Sequence, residues 1–343
     1  MLGSGGIGTY LESLLPYFTA SNECVLLIYQ NQKNLLPSLS SDIQIIETDI
    51  KTFSLKELFL FPKGIRKIIN MCDIFYSPYC NVPCGIHIPV FTTIHDIVFL
   101  DVTDLSSKIG VLIRKFFYQR AINKSKLIFT VSQFSTDRIK AKLKLKNKPL
   151  IVTYNSVPEH FSTGLKSVPQ KDNSIIFVGN IKKHKGLSIL LQAFENCKQK
   201  GLDCKLIIIG NAENFRSGDS ETAEKLSKAD QKDILFSGRI SDSDLQTYYQ
   251  KARLLVQPSL YEGFGMPPME ALSLGTNVII SDIPVFKEIY EGFPVTFFKS
   301  ADSSDLSEKI LQTFNNPPPG KLPEKYSFKK TADIIMDSFR SIK

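Results

Sequence analysis

The chain has 343 residues, 43% of them hydrophobic and 22% charged, with a formal net charge of +8. A chain this long outgrows a single core, so two domains are expected, and its composition excludes a disordered or fibrous polymer. It holds no apolar run of about eighteen residues and no basic-then-apolar leader, which excludes a helical membrane span and predicts a cytosolic protein.

Cys24, Cys72, Cys80, Cys84, Cys197 and Cys204 form no Cys-x-x-Cys pair, and there are four histidines. Free thiols in a reducing compartment are expected, with no metal site. Up to residue 165 there are 18 Lys and Arg against 12 Asp and Glu, and beyond it 24 against 22, so the first half carries most of the excess. Lysines interleave with Phe53, Leu55, Leu58, Phe59, Leu60 and Phe61 in residues 51–67, and cluster again in 138–148. Such a surface is either a solvated face or a patch for an anionic membrane.

The chain opens on Gly3-Ser4-Gly5-Gly6-Ile7-Gly8, formally the Gly-x-Gly-x-x-Gly fingerprint of dinucleotide sites. That fingerprint needs a strand before it and an acidic residue about twenty positions on. Only Met1-Leu2 precede Gly3, and the next apolar run ends in Tyr29-Gln30-Asn31, so an oxidoreductase is disfavoured. As a glycine turn opening a helix, the segment can still present amides to a diphosphate, with Gly6 and Gly8 as the contacts.

Short apolar runs then recur at 25–29, 43–46, 74–76, 90–94, 127–131 and 150–153, separated by helix-length segments. This is the pattern of parallel strands with crossover helices. His95-Asp96 follow the fourth run, where a strand ends at a ligand-binding edge; a lone histidine there is also an ordinary hydrogen-bonded polar residue. Residues 157–173 are Pro, Gly and polar without period and form a linker, with the boundary near residue 165. The plan repeats with runs at 174–178, 205–209, 234–237, 253–257, 277–281 and 296–298. Two open α/β units in tandem follow, with the substrate cleft expected between their sheets.

After the run at 253–257 comes Tyr261-Glu262-Gly263-Phe264-Gly265-Met266-Pro267-Pro268-Met269-Glu270. Its glycines allow close backbone approach, its prolines pre-set the first helical turn, and its two carboxylates can accept from sugar hydroxyls. The constellation suits a sugar nucleotide. Glu in a first helical turn also complements the macrodipole, so the loop by itself is equally ordinary turn chemistry.

The Glu, seven residues, Glu spacing with Gly-Phe-Gly after the first carboxylate resembles the retaining glycosyltransferases of the GT-B type, in family four or glycosyl transferases group 1. Other segments carry the resemblance along nearly the whole chain: Gly5 to Tyr10, Thr93 to Asp96, Val131 to Ser135, Tyr154 to Val157, Val178-Gly179-Asn180 with Lys185-Gly186, and Phe236 to Arg239. The resemblance implies an α/β fold of two Rossmann-like domains, 1–165 binding acceptor and 166–315 binding donor, with a tail of 316–343 returning to the first domain.

It further implies roles. Glu262 would hold donor-sugar hydroxyls and stabilise positive charge at the anomeric carbon, His95 would face the reaction centre, and Lys185 would neutralise the donor diphosphate. Glu270 would take the ribose hydroxyls, and Phe264, Gly265 and Met266 would lie along the donor. Many family members have Arg where this chain has Asn180, a departure that weakens the phosphate clamp unless Arg239 or His184 compensates. The His95-Asp96 motif with Phe99 is similar to mannosyl- and related transferases.

The expected activity is metal-independent, cofactor-free, retaining transfer of a hexose from GDP- or UDP-hexose to a saccharide or lipid-linked acceptor in cell-surface polysaccharide synthesis, by a peripheral membrane protein. The alternatives are a catalytically silent nucleotide-sugar-binding subunit and a basic nucleic-acid-binding protein. The family begins with a strand that this chain lacks, so a truncated reading frame or an upstream start is expected. Loss of a central strand, costing several kcal/mol, would then make the protein behave poorly.

Overall fold

The computed structural model describes residues 2, 5–37, 39, 43–102, 105–162, 170–210, 222 and 232–341. The expected boundary near 165 and the Gly3-Ser4 start of the glycine segment lie outside them. The chain divides into two compact units: Met1–Pro158 with Tyr326–Lys343, and Glu159–Lys325. All twelve apolar runs form strands. Among the described residues every strand pairing is parallel.

The first unit opens on helix α1 (Gly5–Thr19), followed by β1 (Cys24–Tyr29) and β2 (Ile43–Thr48). Next come α2 (Leu55–Phe59), α3 (Lys63–Ile69), β3 (Phe75–Ser77), β4 (Val90–Thr93), α4 (Val98–Asp101), α5 (Lys108–Lys124), β5 (Leu127–Thr130), α6 (Gln133–Lys142) and β6 (Leu150–Val152). Helix starts follow local chemistry: Ser54, Ser107 and Ser132 each cap with a hydroxyl that accepts from an amide three residues on.

The second unit contains α7 (Glu159–Ser162), β7 (Asp172–Val178), α8 (Leu187–Gln199), β8 (Lys205–Ile209), β9 (Ile234–Gly238), α9 (Asp242–Lys251) and β10 (Ala252–Gln257). It continues through α10 (Pro267–Ser273), β11 (Asn277–Ser281), α11 (Pro284–Ile289), β12 (Thr296–Phe298) and α12 (Ser303–Thr313). The last helix, α13 (Phe328–Arg340), belongs to the first unit, where the Phe339 ring lies 4.7 Å from Phe91 and 5.6 Å from Tyr76.

The second unit's six strands run in the order β12-β11-β10-β7-β8-β9. From β7 the chain builds outward through β8 and β9, then crosses back to start β10 on the other side of β7. The carboxyl ends of β7 and β10 therefore flank a topological switch point, the place where open parallel sheets hold ligands. Ile175, Ile176 and Phe177 of β7 are all fully buried, as a strand covered on both faces requires. The core joins Leu190 and Phe194 of α8 to Leu254, Val256 and Ile310.

In the first unit the strands form two separate sheets, β1-β2 and β3-β4-β5-β6. Among the described residues no strand precedes α1. One core gathers Val90, Ile94, Ala121, Ile122 and Ile128, while Leu2, Leu15 and Ile28 form a smaller cluster beside it.

Candidate active site

The segments leaving β7 and β10 are tied to each other. After β7 the chain makes a short 3-10 turn at Lys183–Lys185 and reaches Gly186 at φ 67°. A Cβ at Gly186 would sit 2.0 Å from the Pro258 carbonyl oxygen, so only glycine permits this approach to the segment following β10. The Leu260 amide donates to the His184 carbonyl at 2.8 Å across the same contact.

This lock brings two predicted residues together. Lys185 Nζ donates to Glu262 Oε1 at 2.7 Å and to Oε2 at 2.8 Å. Ser259 Oγ also donates to Glu262 Oε1, at 2.8 Å, and itself accepts from Gln257 Nε2 at 3.0 Å. The Glu262 carboxylate is buried with its orientation fixed by three hydrogen bonds. Two of the three ammonium donors of Lys185 are used on it, leaving one N–H for a ligand.

Phe264, Gly265 and Met266 lie in the next stretch, with all three side-chain positions buried. Gly265 takes φ 83°, a Cβ there would lie 2.4 Å from the Phe286 ring, and the Tyr290 hydroxyl donates to its carbonyl. Pro267 and Pro268 then open α10. On that helix, buried Glu270 accepts from the Tyr249 hydroxyl at 2.8 Å. Burial pushes its pKa up to about 7, against a downward pull from the Tyr249 hydrogen bond and a small upward one from Asp242. Glu270 shares no hydrogen bond with Lys185 or Glu262 among the described residues.

Asn180 follows β7 and Arg239 follows β9, both exposed. Gly179, Gly210 and Gly238 stand side by side at the ends of β7, β8 and β9, linked by Gly179 N–H to Ile209 and Gly210 N–H to Gly238. His184 does not supply the missing positive charge: burial first, then Lys185 and Lys182, push its pKa down to about 3. The compensation expected of it fails for that reason, and Arg239 remains.

In the first unit, Gly6 is exposed and Gly8 buried in the first turns of α1. His95 Nε2 lies 2.9 Å from the Pro78 carbonyl, and the ring stands edge-on to Tyr10 at 4.7 Å. Tyr10, Tyr76 and Thr93 share a hydroxyl network beside it. Burial pushes the His95 pKa down to about 4, with the Pro78 hydrogen bond opposing, so a neutral ring is held there. Asp96 Oδ1 accepts from the Val98 amide at 3.0 Å, fixing the turn after β4. Ser259, Tyr249 and Tyr290 were absent from the sequence expectations. Tyr249 and Tyr290 act across the fold, where no local spacing marks them, whereas Ser259 stands three residues before Glu262 and its hydroxyl at that spacing was the signal available.

Residues 165–332 match the family model described as Glycosyl transferases group 1. The match spans just under half of the chain. The O-antigen chain mannosyltransferase RfbU of Salmonella typhimurium is 31% identical over 175 residues, covering 51% of this chain and 47% of that protein. The O-antigen chain mannosyltransferase B of Escherichia coli is 28% identical over 262 residues, covering 71% and 65%. The chain thus spans about half to two thirds of these relatives.

Among solved structures, HepE of Anabaena, determined in complex with UDP and glucose, superposes with a TM-score of 0.73 over 98% of this chain and 96% of its own, at 15% identity. Sucrose-phosphate synthase from Thermosynechococcus elongatus gives 0.71 over 99% and 94%, also at 15%. These likenesses show a GT-B fold of α/β units with parallel sheets.

Proposed function

We propose that the protein is a retaining, metal-independent glycosyltransferase that moves a hexose, mannose first among candidates, from a nucleoside-diphosphate sugar to a saccharide or lipid-linked acceptor. The observation that carries this reading is the Lys185–Glu262 pair at the switch point of a six-stranded parallel sheet. The names of the relatives support mannose and O-antigen synthesis, and HepE's bound UDP supports a nucleotide-sugar donor.

The chemistry follows from charge. As the bond from the anomeric carbon to the diphosphate oxygen breaks, negative charge grows on phosphate and positive charge on the sugar. The remaining N–H of Lys185 serves the former and the buried Glu262 carboxylate the latter. The departing phosphate takes the acceptor proton on the same face, so configuration is retained. Glu270, held by Tyr249, would take the ribose hydroxyls, with Phe264, Gly265 and Met266 along the donor. Gly6, Gly8, Asn180 and Arg239 would flank the diphosphate, and neutral His95 would meet the sugar.

The test is transfer of labelled sugar from GDP-mannose and from UDP-glucose by the purified chain. Glu262→Ala abolishes transfer with the fold intact, and Lys185→Ala lowers kcat more than it raises KM. Donor turnover without any partner excludes a silent subunit; full activity of Glu262→Ala sinks the mechanism.

The acceptor side of this reading includes the membrane. Among the described residues no helix is long and apolar enough to cross one. Ile109, Leu112, Ile113 and Phe116 nevertheless stand exposed on α5 at i, i+3, i+4 and i+7, and Phe53, Leu55, Phe59 and Leu60 are exposed around α2. With exposed Lys51, Lys56 and Lys63 in the one stretch and Lys108 and Lys115 in the other, each is an apolar and basic segment suited to the face of an anionic bilayer.

A further inference from the structure

A row of buried polar side chains in the second unit leads to the Lys185–Glu262 pair. Gln257 ends β10, Ser259 follows two residues later, and Ser281 ends the neighbouring strand β11. All three are at most 1% exposed. Burying polar groups costs free energy unless each is hydrogen-bonded, and apolar residues would close this turn more cheaply. What the row adds is direction.

The far end of the row sets that direction. An ionised carboxylate only accepts, so the single Ser259 proton is committed to Glu262 Oε1 at 2.8 Å, and Ser259 Oγ can only accept from Gln257. Gln257 therefore turns its amide nitrogen to Ser259, at 3.0 Å, and its Oε1 is buried without a hydrogen-bond partner among the described residues. The polarity is kept although one acceptor is orphaned. The backbone is pinned as well: the Pro258 carbonyl abuts Gly186, the Ser281 hydroxyl donates to the Ser259 carbonyl, and the Leu260 amide donates to the His184 carbonyl. Three successive residues are thus held from the β7 side and the β11 side.

We infer that Ser259 is the positioning residue of Glu262 in sugar transfer, an inference that rests on the function proposed above. Lys185 bonds both carboxylate oxygens, yet the same ammonium is drawn to the diphosphate as negative charge grows there. Its hold on Glu262 weakens at the moment when the carboxylate must face the anomeric carbon. Ser259 is uncharged and fully buried, so its hydrogen bond does not follow the leaving group. It keeps the carboxylate aimed while the lysine turns to phosphate. The effect belongs to the transition state rather than to the bound donor. A hydroxyl that merely closed the turn would lower stability and leave turnover per folded site unchanged.

The test compares Ser259→Ala, Ser259→Cys and Gln257→Met with the parent chain, using labelled GDP-mannose and UDP-glucose for transfer and GDP and UDP for binding. Ser259→Ala lowers kcat by about tenfold to a hundredfold, while the donor KM and the Kd and stoichiometry of nucleoside-diphosphate binding stay within about twofold. Ser259→Cys, whose thiol is a weak donor, falls between parent and Ser259→Ala. Gln257→Met removes the donor that orients Ser259 and lowers kcat by a smaller factor. Stoichiometry counts the folded sites, so lost fold cannot pass for lost aim. Unchanged kcat in Ser259→Ala overturns the inference and leaves the activity standing. So does a fall in kcat matched by an equal fall in stoichiometry, the mark of a turn that no longer folds. A raised KM at unchanged kcat also overturns it, because it marks a donor contact instead. A parent that transfers from neither donor overturns the proposed activity, and this role with it.

Discussion

At the scale of single residues, the site rests on positions whose chemistry is local and on others whose chemistry is not. Gly186 is of the first kind: a positive φ costs an L-residue about 1–2 kcal/mol, and a Cβ meets the Pro258 carbonyl besides. Gly186→Ala therefore lowers stability by about 2 kcal/mol or more in urea unfolding and reduces transfer, because it separates Lys185 from Glu262; an unchanged midpoint contradicts the lock. Glu270 is of the second kind. Its carboxyl titrates at about 7 in the folded chain, against the 4.5 of an unburied glutamate, so between these pH values the native state holds a proton that the unfolded state has lost. Stability then falls as pH rises through that window, by an amount on the order of 3 kcal/mol, and levels off above it. Buried Glu57, also raised to about 7 by burial, acts in the same direction. Glu270→Gln keeps an acceptor for Tyr249 and flattens its share of the slope; chemical denaturation at pH 5 and pH 8 shows the difference, and an equal slope in the variant removes Glu270 as the cause. The spacing of Glu262 and Glu270 was visible in the sequence. That one pairs with lysine and the other with a tyrosine was not, since Tyr249 and Lys185 reach them from distant turns.

Among the elements, strands were the most legible. Val90–Thr93, Leu127–Thr130 and Lys205–Ile209 are short apolar runs because parallel strands are covered on both faces. Helix α5 was illegible for the converse reason. It buries Phe117, Tyr118, Ala121 and Ile122 on one side and exposes Ile109, Leu112, Ile113 and Phe116 on another, so its apolar residues mark no single face. Residues 51–67, expected as one basic and apolar surface, divide similarly: Leu58 and Phe61 are buried, whereas Phe53, Leu55, Phe59 and Leu60 are exposed. A folded protein rarely leaves a helical stripe of four large apolar residues in water without a use for it. Replacing Leu112 and Phe116 together with serine removes about 3 kcal/mol or more of apolar transfer energy from a bilayer contact. Flotation with anionic phosphatidylglycerol vesicles should drop by at least about tenfold while Tm holds, and binding of the parent should weaken as salt rises. Undiminished flotation of the double variant removes this stripe as the contact, and absence of flotation by the parent removes the proposed membrane contact altogether.

Across the whole molecule, the described strands of the two units join differently. The second has a continuous six-stranded sheet over one core; the first has two sheets, two clusters and the cavity between β1 and β3. A cavity between two sheets, and strands split between sheets among the described residues, both subtract from stability, and the cores are built from separate residues. Unfolding is therefore expected in two steps, the first unit at lower urea. The chain has 12 tyrosines and no tryptophan, so hydrogen exchange by segment is the better probe than fluorescence. β1 and β3 should lose protection first, β7 and β10 last. A nucleoside diphosphate binding beside Lys185 should then shift chiefly the second step, by about 2.7 kcal/mol at a hundredfold excess over Kd, because Lys185, Asn180, Arg239 and Glu270 all belong to that unit. A single transition moved as a whole by GDP or UDP would mean that the first unit is stabilised through the second, and the two-step expectation would fail.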